Sequence, residues 1–562
     1  MGHRGAFTPR DIVQEIWAHL ELPASALASL SLPGLSSADG REGGGGGGGG
    51  EEEAPGPAVP SSFKIGHLAQ STIALSALAA ATAHSGLSGR STPFITTTAS
   101  SSSSPSPPPR ITVPLRHAVL EFQCERLYTL AGRPPAETWG PIGGLHPTAG
   151  DGDGDGNGNG NGGYVRVHDA FPHHRRGVLR LLGLPEDCAD RRAVSARTRG
   201  WDAVALETAA VDGAGVAAYA LRSFEEWDAL PQARALADMP VNIRRVDVPT
   251  TMTTTTTTTM TAPAPAPRWC GDIGGGGGGR RLLAGLRVLE LSRVIAAPVA
   301  GKTLAAHGAD VLWVTSPRLP DLPGLDREFA RGKRTAQLDL DDAADRARLR
   351  DLARGADVVL QGYRPGSGLT AAARHGPLDA AALAAANPGV VVANLSAFGP
   401  DGPWAARRGF DSLVQACSGL NAAEARSAGD GEPARALPCQ ALDHAAGFLL
   451  AAGICAAVCR RERDRREGRA AGAHAYVVDV SLAGVMKYLR SLGQFEGRSG
   501  FEAGDCTVFR GDEDARAFFD TRDTPFGEMR FLRHSASVDG FDTSWDLMPA
   551  PLGSAEAAWR DS

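Results

Sequence analysis

Short apolar runs alternate with amphipathic segments through the second half of the chain. The runs with the length and composition of buried strands are residues 288–291, 310–314, 357–360 and 390–395. Helical periodicity falls between or beside them, at residues 297–307, 341–353 and 378–385. Because apolar strands that alternate with helices usually pair in parallel, this half of the chain predicts a doubly wound α/β sheet.

A long Ala/Leu-rich segment follows this pattern. It predicts a helix from Asp443 to about Cys459, then a basic turn at residues 460–469 and a further strand at residues 475–480. A carboxylate at a helix start is most often an N-cap, which accepts hydrogen bonds from free backbone N–H groups. After a parallel α/β core it can instead be an acyl-accepting nucleophile, and both interpretations of Asp443 stay open on the pattern alone.

The first half of the chain has weaker periodicity and predicts an α+β arrangement. Helices are expected at residues 71–83, 176–182, 201–210 and 223–230, with a strand at 163–167. Residues 111–120 begin as a strand and continue as a helix. When the two halves are overlaid, residues 71–80 fall on 447–456, and His67 falls opposite Asp443 as an expected exposed histidine. Whether this reflects an internal duplication stays open.

Low-complexity tracts divide the chain, because they cannot bury a core. The tracts are residues 43–53, 100–109, 151–163, 250–267 and 274–279. The segments predicted from them are a variable N-terminus (1–59), a first folded part that includes a small α+β domain (60–249), a linker (250–280), the α/β part (281–500) and a C-terminal return (501–562).

Composition excludes several classes of function. The 562 residues are 42% hydrophobic and carry a net charge of −6, so no basic footprint suggests nucleic acid, and the basic cluster at residues 173–176 is expected to be a solvated face. No signal peptide and no apolar run of transmembrane length is evident, so a soluble protein of the cytoplasm or mitochondrion, without a membrane partner, is expected. The eight cysteines lack CxxC spacing, so no metal site is expected.

A set of short motifs in a fixed order carries a family resemblance. The motifs are Gly285-Leu286-Arg287-Val288-Leu289-Glu290, Arg331-Gly332-Lys333-Arg334-Thr335, Gly362-Tyr363-Arg364-Pro365-Gly366, Ser396-Ala397-Phe398-Gly399-Pro400 and Gly409-Phe410-Asp411, followed by Asp443 and its helix. Together they resemble the class III CoA-transferases, the CaiB/BaiF family. The resemblance implies a Rossmann-like doubly wound parallel sheet with a smaller α+β domain and low-complexity insertions. The chain looks like a duplicated, partly degenerate member of fungal type.

The resemblance implies that Asp443 is a nucleophile. Such an enzyme moves CoA from an acyl-CoA thioester to a carboxylic acid through an aspartyl-CoA intermediate. The start of the helix would favour the anionic carboxylate, and its free N–H groups would hold an oxyanion. No tightly bound cofactor is implied, since CoA and acyl-CoA are substrates. A homodimer, or a pseudo-dimer within one chain, is the implied assembly.

The resemblance also implies positions that contact CoA. They are Val294, Ile295, Leu338, Asp339, Gly362, Tyr363, Arg364, Arg374, Arg408 and Asp411. Arg364 would bind a phosphate, and Asp411 would lie beside the nucleophile. For Arg364, Arg374 and Arg408 the ordinary alternative is a solvated surface arginine.

Two other functions stay open. α-Methylacyl-CoA racemases have a Gly-His-Asp turn, where the histidine exchanges a proton, and here that turn is Gly409-Phe410-Asp411. Since phenylalanine cannot move a proton, transfer is favoured over racemisation. A non-catalytic paralogue that binds CoA is the second alternative, because the family's glycine-rich lid has no clear counterpart here.

Overall fold

The computed structural model describes most of the chain outside the low-complexity tracts. The described residues are 4–35, 56–87, 109–149, 163–248, 280–364, 379–470 and 472–560. The tracts fall almost entirely outside these ranges, as do Arg374 and the Pro365-Gly366 turn. The predicted domain boundaries, including the linker at 250–280, therefore stay predictions.

The strands form one large sheet and three small ones. In chain order the strands are β1 (Leu30–Ser31), β2 (Ile111–Thr112), β3 (Thr129–Leu130), β4 (Gly144–Pro147), β5 (Tyr164–Val167), β6 (Ala218–Ala220), β7 (Val241–Asp247), β8 (Arg287–Leu291), β9 (Asp310–Thr315), β10 (Lys333–Gln337), β11 (Val358–Gln361), β12 (Val390–Ser396), β13 (His474–Ser481), β14 (Phe519–Thr524), β15 (Gly527–Leu532) and β16 (Ser537–Val538). The small sheets have the orders β1-β2-β16, β14-β15-β3 and β4-β5-β6.

The large sheet has the order β10-β9-β8-β11-β12-β13-β7. All of its pairs are parallel except the last, in which β7 runs antiparallel to β13. The predicted parallel α/β sheet is therefore confirmed. The sequence pattern did not predict β7, which precedes the linker and supplies the antiparallel edge that many otherwise parallel sheets carry.

The helices cover both faces of the large sheet and connect the strands of the three small sheets. They are α1 (Pro9–His19), α2 (Ile65–Leu87), α3 (Leu115–Glu121), α4 (Cys124–Leu127), α5 (Pro172–Leu181), α6 (Arg191–Thr198), α7 (Ala203–Thr208), α8 (Phe224–Asp228), α9 (Pro231–Ala235), α10 (Ala296–Ala306), α11 (Pro323–Phe329), α12 (Ala343–Arg354), α13 (Ala380–Ala386), α14 (Asp411–Cys417), α15 (Leu420–Ala428), α16 (Ala441–Arg466), α17 (Leu482–Ser491), α18 (Ser499–Glu502) and α19 (Asp512–Arg516).

Helix α16 is longer than the pattern predicted. The basic turn expected from Arg460 is wrong, because the helix continues to Arg466. Arg461 pairs with Asp357 at 3.4 Å, and cations in the last helical turn are favoured by the helix dipole. At this length α16 is long and apolar enough to cross a membrane, contrary to the expectation that no segment would be, but 94% of the apolar window is buried inside the protein. It is the central helix of the core.

The packing around α16 depends on small residues. The helix lies against α2 on one side and α10 on another. At Gly447 an added Cβ would lie 2.5 Å from the Ala296 carbonyl oxygen and 2.5 Å from Val299 Cβ. The helix backbone thus approaches α10 more closely than any side chain would allow.

The substitution Gly447→Ala is therefore expected to destabilise the protein by about 1–3 kcal/mol, since overpacking forces the two helices apart. Thermal unfolding followed by circular dichroism checks this as a lower Tm. Gly213→Ala is the matched control, because an added Cβ there meets nothing within 4 Å. Equal Tm values for the two variants would contradict the packing argument.

Candidate active site

The first turn of α16 holds Asp443 in a position other than the N-cap. The helix begins at Ala441 and its N-cap residue is Gln440, so Asp443 is the third helical residue. The capping role falls to Asp411, whose Oδ2 accepts the N–H groups of Leu442 at 2.8 Å and Asp443 at 2.9 Å. The N-cap interpretation of Asp443 is wrong, and so is the expectation that these N–H groups are free for an oxyanion.

The carboxyl group of Asp443 is buried without a hydrogen-bond partner in the described part of the chain that would offset the cost of its burial. The residue is 7% exposed, and no hydrogen bond from the described residues stabilises its carboxylate. Burial, with the charges of Asp411 and Glu125, raises the pKa of Asp443 well above its usual value. Asp411 also accepts a hydrogen bond from Gln415, so of the two carboxyls Asp411 loses its proton first.

His444 points away from the site although it follows Asp443 in sequence. Its Nε2 lies 3.0 Å from Glu125 Oε2, and its ring stacks on Phe122 with centroids 5.5 Å apart. Adjacent helical residues face different directions, as expected for this pair. His444 is therefore part of the core and holds Glu125 in place.

Two cavities meet at Asp443. Both are lined by Val294, Ile295, Phe410 and Asp443. The first, which we name the apolar cavity, has a volume of about 330 Å³ and extends towards Trp139, Leu322 and Leu325. The second, the cationic cavity, has a volume of about 240 Å³ and extends towards arginine and histidine side chains.

The cationic cavity concentrates positive charge. Its charge comes from Arg293, Arg364 and Arg408, whereas His173 and His174 line it as neutral rings, because burial lowers the pKa of both. Among its described lining residues, Asp443 is the single carboxylate. Burial lowers the pKa of Arg408, because it disfavours the charged guanidinium. The positive charge of Arg364 nearby lowers that pKa further. This arrangement suits an anion with several charges.

The loop between β8 and α10 reaches both cavities with a strained backbone. Val294 has φ of 73°, in the left-handed region that a β-branched residue rarely adopts. Such a conformation costs on the order of 1–3 kcal/mol and persists only where the surroundings enforce it. The strain places Val294 and Ile295 between the two cavities, where backbone outliers are often functional.

The structure brings together most of the residues predicted to contact CoA. Val294, Ile295, Gly362, Tyr363, Arg364 and Arg408 line the cationic cavity with Asp443, and Asp411 lines the apolar one. Leu338 and Asp339 line neither cavity. Leu338 is buried in a second core cluster, and Asp339 pairs with Arg318 at 2.7 Å. Arg374 lies outside the described residues.

Several residues at the site come from the first half of the chain and were not predicted. His168, Trp139 and Glu125 line the apolar cavity, and Phe171 and His174 line the cationic one. The expected solvated face at residues 173–176 is wrong for His174, which is 2% exposed and accepts the Ala217 N–H at 3.1 Å. Neither spacing nor periodicity relates these residues to Asp443, because only the tertiary fold joins them.

His67, the residue opposite Asp443 in the overlay, is also placed differently from expectation. It is 2% exposed rather than exposed, and burial, together with the charge of Lys64, lowers its pKa to about 4. It lines neither of the two cavities. The overlay therefore gives no second acidic or basic group at the site.

Cys124, Glu125 and His444 have potential metal-ligating atoms within 4.8 Å of one another. The Lys302 ammonium lies 3.2 Å from Cys124 Sγ and also pairs with Glu328 at 2.8 Å. Burial raises the pKa of the Cys124 thiol, and a protonated thiol beside an ammonium does not bind a cation. These contacts are typical of a hydrogen-bonded core cluster.

Comparison with known proteins gives a consistent set of matches. Residues 283–503 match the family model described as CoA-transferase family III. An acyl-CoA transferase of Gibberella moniliformis is 33% identical over 54% of this chain and 52% of its own length, and a succinate–glutarate CoA-transferase of Agrobacterium fabrum is 36% identical over 27% and 41%. A crystal structure of a CaiB/BaiF family protein from Brucella suis is 27% identical over 37% of this chain and 55% of that chain, with a TM-score of 0.31. The chain thus spans about half the length of the fungal relative.

The electrostatics of Asp443 predict a stability effect that depends on pH. Its pKa is raised in the folded protein above the unfolded value of about 3.9, so the buried carboxylate is unfavourable above that pH and the cost grows as pH rises. Asp443→Asn removes the charge and should stabilise the protein by about 0.5–2 kcal/mol near pH 7.

The measurement is the Tm of Asp443→Asn and of the parent protein between pH 5 and pH 8. The gain in Tm should be larger at pH 7 than at pH 5. Asp401→Asn, at an exposed aspartate, is the control and should leave Tm unchanged. A variant that is less stable than the parent at pH 7 would contradict the assigned electrostatics.

Proposed function

We propose that this protein, whose residues 283–503 match CoA-transferase family III, transfers CoA from an acyl-CoA thioester to a carboxylic acid with Asp443 as the nucleophile. The observation that carries the proposal is the position of Asp443 where the cationic and apolar cavities meet. A thioester bound across that junction would have its charged nucleotide on one side of the carboxylate and its acyl group on the other.

The proposed reaction proceeds by two exchanges at the same carboxylate. The Asp443 carboxylate attacks the thioester carbonyl carbon, the C–S bond breaks, and a mixed anhydride and CoA thiolate form. The thiolate then attacks the Asp443 carbonyl and releases the donor as a free carboxylate. The acceptor carboxylate repeats the sequence in reverse and leaves with CoA, so Asp443 is regenerated without net proton or electron transfer.

The unusual environment of Asp443 supports this role. Carboxylates stabilised by hydrogen bonds are poor nucleophiles, whereas Asp443 is buried without one among the described residues, so its ionised form is less populated but more reactive. Its neighbour Asp411 instead takes the two backbone N–H groups and fixes the helix start. The carboxyl that stabilises the helix and the carboxyl that reacts are thus separate groups.

The position of Phe410 disfavours the racemase alternative. Phe410 lines both cavities beside Asp443, where a proton-exchanging residue would be needed. The ring stacked on it belongs to His168, with centroids 3.8 Å apart, and burial, followed by the charge of Arg166, lowers the pKa of His168 to about 3. A base that weak is poorly matched to removing an α-proton near neutral pH.

We further propose that one chain supplies both sides of the site. Phe171 and His174 from the first half line the same cavity as Arg364 and Arg408 from the second. This corresponds to the pseudo-dimer within one chain. Donor and acceptor would bind successively at the same Asp443.

The covalent step predicts that hydroxylamine will trap Asp443 as a hydroxamate when the protein is incubated with an acyl-CoA donor. Peptide mass spectrometry should place the modification on Asp443 and find none in Asp443→Asn. The control is Asp401→Asn, which should label as the parent does. If CoA binds but no donor gives a hydroxamate, the chain is a non-catalytic CoA-binding paralogue.

The charge of the cationic cavity predicts the effect of Arg408→Ala on CoA affinity. Loss of one charge-assisted contact of about 1.5–3 kcal/mol should raise the Kd for CoA by roughly tenfold or more. Isothermal titration calorimetry measures this, with Arg426→Ala, at an exposed arginine outside both cavities, as the control. Unchanged affinity in Arg408→Ala would remove the cationic cavity as the CoA site.

A further inference from the structure

The apolar cavity has a chemical character that restricts what it can accept. Its inner wall is formed by hydrocarbon side chains of two regions, Val294 and Ile295 after β8, and Leu322 and Leu325 at the start of α11. Trp139 and the Pro134-Pro135 pair form the outer wall. A ligand portion that enters this space loses water and gains mostly apolar contacts.

We propose that the apolar cavity selects a donor whose acyl group is uncharged and apolar, and that it excludes acyl groups that end in a second carboxylate. This inference rests on the proposed function, because it takes the thioester carbonyl to lie at Asp443. It goes further in naming the class of donor.

The charges on the cavity wall disfavour a second carboxylate. Besides the reacting Asp443, three of the lining residues are acidic, namely Glu125, Glu137 and Asp411. Among the described lining residues, Arg126 is the single arginine or lysine. A dicarboxylic acyl group would place its free carboxylate among acidic neighbours in a partly dehydrated space, which costs affinity.

Arg126 is not positioned to neutralise the free carboxylate of a dicarboxylic acyl group. Its Nη1 donates to the Pro438 carbonyl at 2.9 Å, and its Nε lies 3.4 Å from Glu125 Oε1. The side chain is 49% exposed, so water screens its remaining charge. A carboxylate would have to displace these partners in order to gain one exposed ion pair.

Neutral rings complete the wall beside Phe410. His168 stacks on Phe410 with an interplanar angle of 10°, and Trp139 meets the His168 ring edge-on at 5.4 Å. Because burial and the charge of Arg166 lower the pKa of His168 to about 3, this imidazole stays uncharged near neutral pH. The histidine therefore acts as an aromatic surface and offers no cation to an acidic acyl group.

The size of the space limits the acyl group. A volume of about 330 Å³ is near the lower end of the roughly 300–1,000 Å³ typical of ligand sites. The cavity therefore suits a short, branched or compact chain better than a long fatty acyl chain.

The test compares two donors of the same shape and different charge. Glutaryl-CoA and 5-methylhexanoyl-CoA have the same carbon skeleton up to their ends, where a carboxylate in one replaces an isopropyl group in the other. The rate of hydroxamate formation on Asp443 is measured with each donor at equal, subsaturating concentration. The apolar donor should react at least about tenfold faster.

A variant at the rim tests the electrostatic cause. Glu137 is exposed and lies on the wall of the apolar cavity. Glu137→Lys reverses its charge and should raise the glutaryl rate relative to the 5-methylhexanoyl rate by about two- to threefold, a small effect because water also screens this exposed side chain, while Glu137→Gln should give a smaller shift in the same direction. The readout is the ratio of the two rates within each variant, which separates the effect of charge from any general effect on binding.

The outcomes separate this inference from the proposed function. Equal rates, or a faster reaction with glutaryl-CoA, would overturn the inference and leave Asp443 as a CoA-transferase nucleophile. Absence of a hydroxamate with both donors and with acetyl-CoA, despite CoA binding, would overturn the proposed function itself. A preference for the apolar donor that Glu137→Lys diminishes would support the inference.

Discussion

The rest of the site depends on the carboxylate of Asp411 at the start of α16. By accepting the N–H groups of Leu442 and Asp443, it fixes where the central helix begins and satisfies donors that a buried helix end cannot leave unpaired. That contact leaves the neighbouring Asp443 carboxyl free of a capping role. It also puts a second negative charge close to Asp443, which makes ionisation of that carboxyl unfavourable. Helix geometry and nucleophile chemistry are thus set by one interaction.

The site contains several unfavourable features, and the core around α16 offsets them. A buried carboxyl without a partner and a β-branched residue with φ of 73° each destabilise the folded state. Close helix packing at Gly447 and the extensive burial of α16 hold these groups in place. The strained loop at Val294 and the two carboxyl groups of Asp411 and Asp443 therefore lie on rigid elements around the same cavity, which is how reactive groups are kept in position.

The sequence pattern predicted much of the parallel sheet because its central strands are apolar on both faces. It missed β10, where Lys333 and Arg334 look polar but pair with Glu290 and Asp310. The sequence did allow Asp443 and the loops at Val294 and Arg364 to be assigned to the site, because they follow the order of motifs that the family resemblance rests on. The contributions of Trp139, His168 and His174 could not, because long-range packing brings them to Asp443 across more than 250 residues and no local signal records it.

The pairing of β7 with β13 has a consequence for how the chain folds. This contact joins residues 241–247 to residues 474–481, so the edge of the large sheet closes only after almost the whole α/β region has been synthesised. Such high contact order slows folding, and β13 presents an unpaired edge until β7 pairs with it. A fragment that starts after residue 280 would keep this exposed edge permanently, and with it the α16 surface that α2 covers. By its exposed edge and uncovered helix face, the family-matched region alone is expected to aggregate, so the first half of the chain completes its sheet and core as a permanent part of the fold.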